Sequence, residues 1–266
     1  MPEAPGAPRH FSAYSWRARL GVIVPPTNTV NEAEWARLMP EGTSFHTMRM
    51  PLHADTTSEA GQRALHDDLD KAMAELVKAD VDVIAYACTA GSMTHPPQSL
   101  PERMQAGSGR TGLSTAAAIV TALDALAAKR LAVATPYHEK LDAHERHFLE
   151  GCGFEVLAIA GLGIGSGGPH EYVRIAQTPL DAVAAHARGV MQAARGQASG
   201  FGRPDALLIS CTDFPTLPLI CKLEAEFGIP VISSNTATLW HALRLAGIRD
   251  DIPAAGRLFE RMGAAG

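Results

Sequence analysis

Two cysteine-threonine pairs occupy matching places in the sequence. Cys88 and Cys211 each end an apolar, strand-like segment, lie six residues after an aspartate and precede a threonine. These aspartates and threonines are Asp82, Thr89, Asp205 and Thr212. A free thiol with a pKa of about 8.5 is only about 3% ionised at pH 7, and backbone N–H groups in the turn after each pair are expected to lower that pKa. The two segments therefore predict nucleophilic or acid–base chemistry.

The other candidate motifs are weaker. Two further cysteines lack such a turn and are interpreted as structural: Cys152 and Cys221. The stretch Gly163–Gly168 fits the GxGxxG spacing, but Pro169 follows it, which favours a loop beside a cleft over a dinucleotide site. His144 and His147 share one face of a predicted helix without the HExxH pattern or a third ligand. They predict a solvated helix face and no metal site.

Short apolar segments alternate with segments of helical period along the chain. The predicted strands are 20–24, 45–50, 81–87, 131–134, 154–160, 206–210 and 230–233. The predicted helices are 31–39, 58–79, 114–128, 140–150, 180–195, 217–227 and 236–245. Strands that are apolar throughout and separated by helices are typical of βαβ units, in which a parallel sheet is covered on both faces. The predicted fold class is therefore α/β.

The two Cys-Thr segments belong to a weak internal duplication. Upstream of each, a basic residue opens an apolar strand that ends at a proline, in Arg19–Pro25 and Arg130–Pro136. We therefore predict two pseudo-symmetric domains, each with a parallel β-sheet flanked by helices. Their active site is expected in the cleft between them, because open α/β sheets bind ligands at the carboxyl ends of their strands. The expected divisions are a flexible leader at 1–16, a first domain at 17–115 plus 235–266, and a second domain at 116–234.

The composition is that of an ordinary globular protein and narrows the range of partners. Of the 266 residues, 46% are hydrophobic and 19% are charged, and the net charge is −5 without a block of Lys or Arg. This pattern predicts no binding to nucleic acid or to an anionic membrane. The sequence shows no long apolar stretch and no signal-peptide pattern, so a cytoplasmic location is expected.

Five ordered segments resemble the maleate cis–trans isomerase and arylmalonate decarboxylase family of the aspartate/glutamate racemase superfamily. They are Gly21–Glu32, Ala87–Ser92, Thr135–Tyr137, Ser210–Thr212 and Pro230–Ala242. The resemblance extends from about Arg19 to Gly247. It implies two pseudo-symmetric α/β domains, an active site between them, small carboxylate substrates and no cofactor. A homo-oligomer without a metal is expected.

The resemblance also implies roles for individual residues. Cys88 would be the nucleophilic thiol and Cys211 the opposing acid or base. The residues implied to bind substrate, through side chains or backbone N–H groups, are Asn28, Thr89, Ala90, Tyr137 and Thr212. His170 is expected where maleate isomerase has a substrate-contacting asparagine. A bulkier, titratable group there would change the second carboxylate pocket.

The residues and the resemblance together predict a cofactor-independent cis–trans isomerase of a small dicarboxylic acid with two catalytic thiols. Arylmalonate decarboxylase has glycine at the first thiol position, whereas this chain has Cys88, which favours isomerase or racemase chemistry. Racemisation of a small amino acid and decarboxylation of a substituted malonate are alternatives in the same cleft. A non-enzymatic carboxylate-binding protein is a further alternative, although neither Cys-Thr turn contains the Arg or Lys that anion binding favours.

Overall fold

Two four-stranded parallel sheets form the framework of the computed structural model, which describes residues 9–53, 58–197 and 202–260. The first sheet has the spatial order β2-β1-β3-β4, made of β1 (Ala18–Val24), β2 (Thr43–Arg49), β3 (Val83–Tyr86) and β4 (Thr111–Ser114). The second has the order β6-β5-β7-β8, made of β5 (Arg130–Tyr137), β6 (Glu155–Ile164), β7 (Ala206–Ile209) and β8 (Val231–Ser233). The two sheets share one topology, which confirms the predicted α/β class and its internal duplication.

Helices connect the strands of both sheets. They are α1 (Asn31–Ala36), α2 (Glu59–Lys78), α3 (Ser99–Ser108), α4 (Thr115–Ala125), α5 (Glu139–Gly151), α6 (Val173–Ala176), α7 (Leu180–Gln197), α8 (Ile220–Phe227) and α9 (Ser234–Leu245). The strands β3 and β7 are buried along their whole length, as expected for apolar strands covered on both faces. Within the described residues, no helix is both long and apolar enough to cross a membrane.

The helices that follow the last strand of each sheet pack against each other. Ser114 ends β4 and caps α4 through a hydrogen bond from Ala117 N–H, and Ser233 ends β8 and caps α9 in the same way. The main apolar cluster includes Ile119 of α4 and Leu239 of α9 together with core residues of both sheets. The two halves therefore share one core, which fixes how they face each other. The domain boundaries within 17–266 stay a prediction.

Three elements, α3, β4 and the single-turn helix α6, lie outside the set predicted from the sequence. The helix α3 contains Pro101 near its start, and β4 has only four residues, so neither shows a clear period. Gly112 of β4 lies against α3 so closely that a Cβ there would collide with the carbonyl oxygen of Pro101. The tertiary contact, and not local propensity, therefore forms this strand. The strand β6 also extends to Ile164, beyond the predicted end at 160.

Part of the expected flexible leader is tied to the first half. Residues 1–8 lie outside the described residues. Within 9–16, His10 Nε2 lies 2.9 Å from Asp82 Oδ2, and Arg9 Nη1 donates to the carbonyl oxygen of Ala246 at 3.1 Å. Polar contacts of this kind leave no hydrophobic period in the sequence, which is why the segment resembles a leader.

Candidate active site

A cavity of about 550 Å³ lies at the carboxyl ends of β1, β3, β5 and β7. This is where parallel α/β sheets bind ligands, because the connecting turns converge there. Seven of the eight residues predicted for the site line this cavity: Asn28, Cys88, Thr89, Ala90, Tyr137, Cys211 and Thr212. The duplication of the strands thus brings both Cys-Thr turns to one space.

Cys88 follows β3 and is almost fully buried, with 8% of its surface exposed. Its thiol accepts hydrogen bonds from the backbone N–H of Gly91 and from the hydroxyl of Tyr86, and both favour the thiolate. Burial outweighs them and raises the pKa of the Cys88 thiol above its ordinary value. The sequence predicts a turn that lowers this pKa. The N–H of the turn does lower the pKa of Cys88, but the opposite effect of desolvation is larger.

Cys211 follows β7 and has a strained backbone, with φ at +94°. Its side chain is 7% exposed, and burial raises the pKa of its thiol to about 12 despite hydrogen bonds from the Tyr137 hydroxyl and the Asp213 N–H. A non-glycine residue in the left-handed region costs about 1–3 kcal/mol and is retained where the surroundings hold it. Here the Cys211 N–H donates to Ser234 Oγ at 2.9 Å. This bond supports the strained turn.

Each cavity thiol is bonded to a tyrosine hydroxyl. Tyr137, at the end of β5, is 4% exposed, and burial raises the pKa of its hydroxyl well above the ordinary value, with Cys211 adding to the effect. Tyr86 is likewise 4% exposed and pairs with Cys88. Tyr86 lies outside the set predicted from the sequence. Its spacing, two residues before Cys88 in an extended segment, is the signal that identifies it, because such residues share one face.

Hydrogen bonds across the seam between the halves involve three of the predicted substrate-binding residues. Thr212 Oγ1 donates to the Ala87 carbonyl oxygen at 3.0 Å and accepts from Asn28 Nδ2 at 3.0 Å. Thr89 Oγ1 donates to Ser234 Oγ at 2.9 Å. These hydroxyl hydrogens therefore bond to protein, and the side chains align the two turns.

Backbone N–H groups remain as donors for a carboxylate. In the described part of the chain, three N–H groups of the two Cys-Thr turns donate to no protein acceptor: those of Thr89, Ala90 and Thr212. Successive N–H groups in such turns form concave sites for anions. The two turns therefore offer donors to carboxylate oxygens from opposite halves.

Glu34 holds the segment that follows the second thiol. Its carboxylate accepts hydrogen bonds from Thr216 N–H at 2.6 Å, Leu217 N–H at 2.7 Å and Asn235 Nδ2 at 2.8 Å. These bonds join α1, the loop after β7 and the start of α9. Glu34 is a positioning residue, and a lone acid in a helix gives no sequence signal for this role.

His170 does not reach the cavity. The residues 169–171 form a single tight turn in which the His170 side chain is exposed. This turn directs the next part of the segment inward, so Tyr172 and Ile175 line the cavity instead. The part of the cavity wall where a histidine is expected is therefore formed by Tyr172 and the apolar Ile175.

The remaining charged groups of the cavity are distributed unevenly. Lys140 and His144 on α5 line the cavity but are exposed. Asp213, in the Cys211 turn, is buried, and burial raises the pKa of its carboxyl to about 6. Among the described residues, no group of three or more His, Cys, Asp or Glu side chains is arranged to hold a metal ion.

The other two cysteines lie outside the cavity. Cys152 is half-buried beside the main apolar cluster. Cys221, on α8, is exposed, and its thiol donates to the Pro253 carbonyl oxygen at 3.3 Å. Within the described residues, neither thiol is hydrogen-bonded to a tyrosine hydroxyl, and their structural role stays a prediction.

The chain is similar in sequence and fold to maleate isomerases. It is 31% identical to the maleate isomerase of Nocardia farcinica, over 91% of this chain and 96% of that protein. A cysteine-to-alanine variant of the maleate isomerase of Pseudomonas putida S16, solved with maleate, has 27% identity and a TM-score of 0.77 over 91% of this chain and 97% of its own. A variant of the Nocardia farcinica maleate cis–trans isomerase, solved with a covalently bound succinylcysteine intermediate, has 30% identity and a TM-score of 0.74, with coverages of 91% and 98%.

The match to a family extends over most of the sequence. The family model described as arylmalonate decarboxylase matches residues 20–259. This range contains both sheets except the first two residues of β1, together with both Cys-Thr turns and the helices that join the halves. The resemblance inferred from the five sequence segments is thereby confirmed, and the chain belongs to the arylmalonate decarboxylase family.

Proposed function

We propose that the protein is a cofactor-independent cis–trans isomerase of a small dicarboxylic acid, with Cys88 as nucleophile and Cys211 as acid. The observation that carries this proposal is one cavity containing two buried thiols, each bonded to a tyrosine hydroxyl. The succinylcysteine in the Nocardia farcinica relative supports a covalent step at a cysteine. Arylmalonate decarboxylase has glycine at the position of Cys88, so the second thiol of this chain favours isomerisation over decarboxylation.

A thiolate solves the chemical problem of the reaction. The double bond of a cis-alkene prevents rotation, whereas addition of a thiolate to C2 leaves a single bond between C2 and C3. The Cys88 sulfur forms the new bond to C2, and the π electrons move to the carboxylate on C3. Rotation about C2–C3 follows. The electrons then return, the C–S bond breaks, and the trans-alkene leaves with Cys88 restored as a thiolate.

The different environments of the thiols support the division of roles. The pKa of about 12 keeps Cys211 protonated, so it is able to give a proton to C3 and take it back before the trans product forms. Burial raises the pKa of the Cys88 thiol as well, whereas the hydroxyl of Tyr86 and the N–H of Gly91 favour its thiolate. Cys88 is therefore the thiol that ionises before addition, with its proton passing to solvent.

The charge that develops on the substrate needs donors that are already in place. Addition moves negative charge onto the carboxylate beside C3, and the free N–H groups of Thr89, Ala90 and Thr212 lie in the turns on both sides of the cavity. Preorganised donors of this kind contribute about 2.7–4 kcal/mol each to the transition state. Lys140 on α5 is exposed at the cavity, and its positive charge also favours entry of an anion from that side.

The protein is proposed to work in the cytoplasm on a small carboxylate. All four cysteines are free thiols, and thiols of catalytic cysteines persist in a reducing compartment. An oxidising compartment would expose the two cavity thiols to modification.

Proton NMR in D2O tests the proposed reaction. The protein is incubated separately with maleate, aspartate, glutamate and an arylmalonate, and we expect conversion of maleate to its trans isomer. Cys221→Ser is the matched control, because it removes an exposed thiol outside the cavity and should leave the rate unchanged. Exchange at Cα of an amino acid, or loss of CO2 from the malonate, without isomerisation of maleate would overturn the proposal in favour of racemisation or decarboxylation.

A further inference from the structure

Tyr137 reaches Cys211 from a part of β5 that is no longer paired with β7. The pairing of these two strands ends at Ala134, whose carbonyl oxygen accepts a hydrogen bond from the Ser210 N–H at 2.8 Å. Pro136 follows before the tyrosine and has no N–H to donate. The direction of the Tyr137 side chain must therefore come from other contacts of this segment.

A buried hydroxyl and a buried carboxylate hold the end of β5. Thr135 Oγ1 accepts a hydrogen bond from the Tyr137 N–H at 3.0 Å and donates its own hydrogen to Asp142 Oδ1 at 2.5 Å. Thr135 is fully buried, and Asp142, in the first turn of α5, is 8% exposed. The Thr135 hydroxyl thus has one partner as acceptor and one as donor, which fixes its orientation between α5 and the backbone of Tyr137.

The pairing of β5 with β6 changes register at the same place. Thr135 is opposite Gly161 and Tyr137 is opposite Ile164, so two steps along β5 match three along β6. An extra residue of this kind bends a strand locally and changes where a side chain points. Gly161 allows the close approach, because a Cβ there would lie 2.0 Å from the Tyr137 carbonyl oxygen and 2.6 Å from Asp142 Oδ2. Three residues therefore converge on the backbone of Tyr137.

We propose that Thr135 and Asp142 are positioning residues that hold the Tyr137 hydroxyl on the Cys211 thiol. Neither is among the described side chains that line the cavity, so both act through Tyr137. The Tyr137 hydroxyl favours the Cys211 thiolate against the effect of burial, so its placement determines how readily this thiol gives up a proton. The inference rests on the proposed role of Cys211 as acid and names the residues on which that role depends.

A double-mutant cycle separates positioning from general stability. Thr135→Val is nearly isosteric but removes both hydrogen bonds of the hydroxyl, so kcat with maleate should fall by about ten- to hundredfold. KM should change by less than about threefold, because the N–H groups of the Cys-Thr turns are kept. In the Tyr137→Phe background, Thr135→Val should lower kcat by less than about threefold, since no hydroxyl remains to be misplaced. Thr135→Ser restores the hydroxyl and should recover most of the lost kcat.

Alkylation of Cys211 gives a readout that does not depend on turnover. The Cys88→Ser protein is treated with iodoacetamide at about pH 9, where more of each thiol is ionised, and the modified Cys211 peptide is quantified by mass spectrometry. Thr135→Val should slow this alkylation by about threefold or more, because the thiolate loses the Tyr137 hydroxyl. In the Tyr137→Phe background it should have no such effect. A structure that is merely loosened would instead expose Cys211 and speed its alkylation.

Thr43→Val is the matched control for the loss of a buried hydroxyl. Thr43 is buried at the start of β2, and its hydroxyl donates to the Pro40 carbonyl oxygen at 2.5 Å. This variant should leave kcat and the alkylation rate unchanged. An equal fall in kcat with and without the Tyr137 hydroxyl, or faster alkylation of Cys211 in Thr135→Val, would overturn the inference. If maleate is not isomerised, the proposed function fails, and the alkylation rates alone decide the inference.

Gly161→Ala applies the same test if circular dichroism shows that Thr135→Val is unfolded. Its added Cβ displaces the Tyr137 carbonyl oxygen, while every side chain that hydrogen-bonds in this segment is kept. The same fall in kcat and the same slower alkylation of Cys211 are expected, again only where the Tyr137 hydroxyl is present. Wild-type values of both would overturn the inference.

Discussion

Thr212 donates its hydroxyl hydrogen to the carbonyl oxygen of Ala87 at 3.0 Å. The residue that follows one cavity thiol is therefore bonded to the residue that precedes the other. Ser234 makes a second link of this kind, because its hydroxyl oxygen accepts from both Thr89 and the Cys211 N–H. The two thiols are positioned by one hydrogen-bonded seam, and its members give testable predictions.

The first prediction separates the roles of the two thiols. Cys88→Ser should abolish turnover and any substrate-derived mass on the protein, because a hydroxyl is a far weaker nucleophile at neutral pH. Cys211→Ser should still form an adduct at Cys88 while releasing the trans product more slowly. Intact-protein mass spectrometry with maleate measures both outcomes. An adduct that forms at Cys211 and never at Cys88 would reverse the assignment.

The second prediction concerns Tyr137, whose hydroxyl is bonded to Cys211. Tyr137→Phe removes a donor from the cavity without changing the ring, which packs in an apolar cluster with Ala134 and Leu207. If the hydroxyl also stabilises negative charge in the transition state, kcat should fall by roughly 10²- to 10³-fold. Steady-state rates with maleate measure this, with circular dichroism as the check on folding. Near-normal turnover would assign Tyr137 to packing.

A third prediction uses the partner of the other thiol. The Tyr86 hydroxyl stabilises the Cys88 thiolate, so Tyr86→Phe should raise the pKa of Cys88 further. Activity that requires the thiolate rises with pH as Cys88 ionises, and this rise should then move to higher pH. The pH profile of kcat/KM measures this shift, and Tyr172→Phe is a control, since that tyrosine lines the cavity without a hydrogen bond to either thiol. An unshifted profile would show that Tyr86 does not tune Cys88.

The seam gives a fourth prediction. Thr212→Val is nearly isosteric but leaves Ala87 O and Asn28 Nδ2 without their partner, so the free energy of unfolding should fall by about 1–3 kcal/mol. Thr212→Ser keeps the hydroxyl and should recover most of that loss. Urea denaturation of both variants provides the comparison. Equal stability of the valine and serine variants would show that the seam hydrogen bonds contribute nothing net.

Glu145 provides a prediction about pH. This side chain is 1% exposed, and burial raises the pKa of its carboxyl from the ordinary 4.5 to about 8. The folded state therefore holds the proton more tightly than the unfolded state, and stability is lost as pH rises from about 4.5 to about 8. Glu145→Gln stays neutral throughout. Its melting temperature should exceed that of the wild type increasingly over this range, and a constant difference would contradict the assignment.

Strong local patterns made the sheets and the thiols predictable from the sequence. The apolar strands before Cys88 and Cys211 repeat in both halves, and parallel strands place their following turns at one edge. By contrast, β4 is held by its contact with α3, and residues 9–16 are held by polar bonds to the first half. Such contacts depend on residues distant in sequence, so no local period reveals them.

The seam and the inward-facing residues were predictable only in part. Thr89 and Thr212 follow the thiols directly, but their hydrogen-bond partners Ser234 and Ala87 depend on how the halves meet. Asp213 lies one residue beyond Thr212, yet only the fold shows that its carboxyl is buried. His170 and Tyr172 differ by two positions, and the tight turn at 169–171 determines which of them reaches the cavity.

The shared core and seam have a consequence for dividing the chain. A cut in the connection between α4 and β5 separates Cys88 from Cys211, and each fragment then carries a sheet with one uncovered apolar helix, α4 or α9. Neither fragment contains a complete cavity. Mixed together, they should associate through those helices and restore the hydrogen bonds between Thr212 and Ala87. Isomerase activity regained on mixing would thus report association of the fragments, making the enzyme a split reporter.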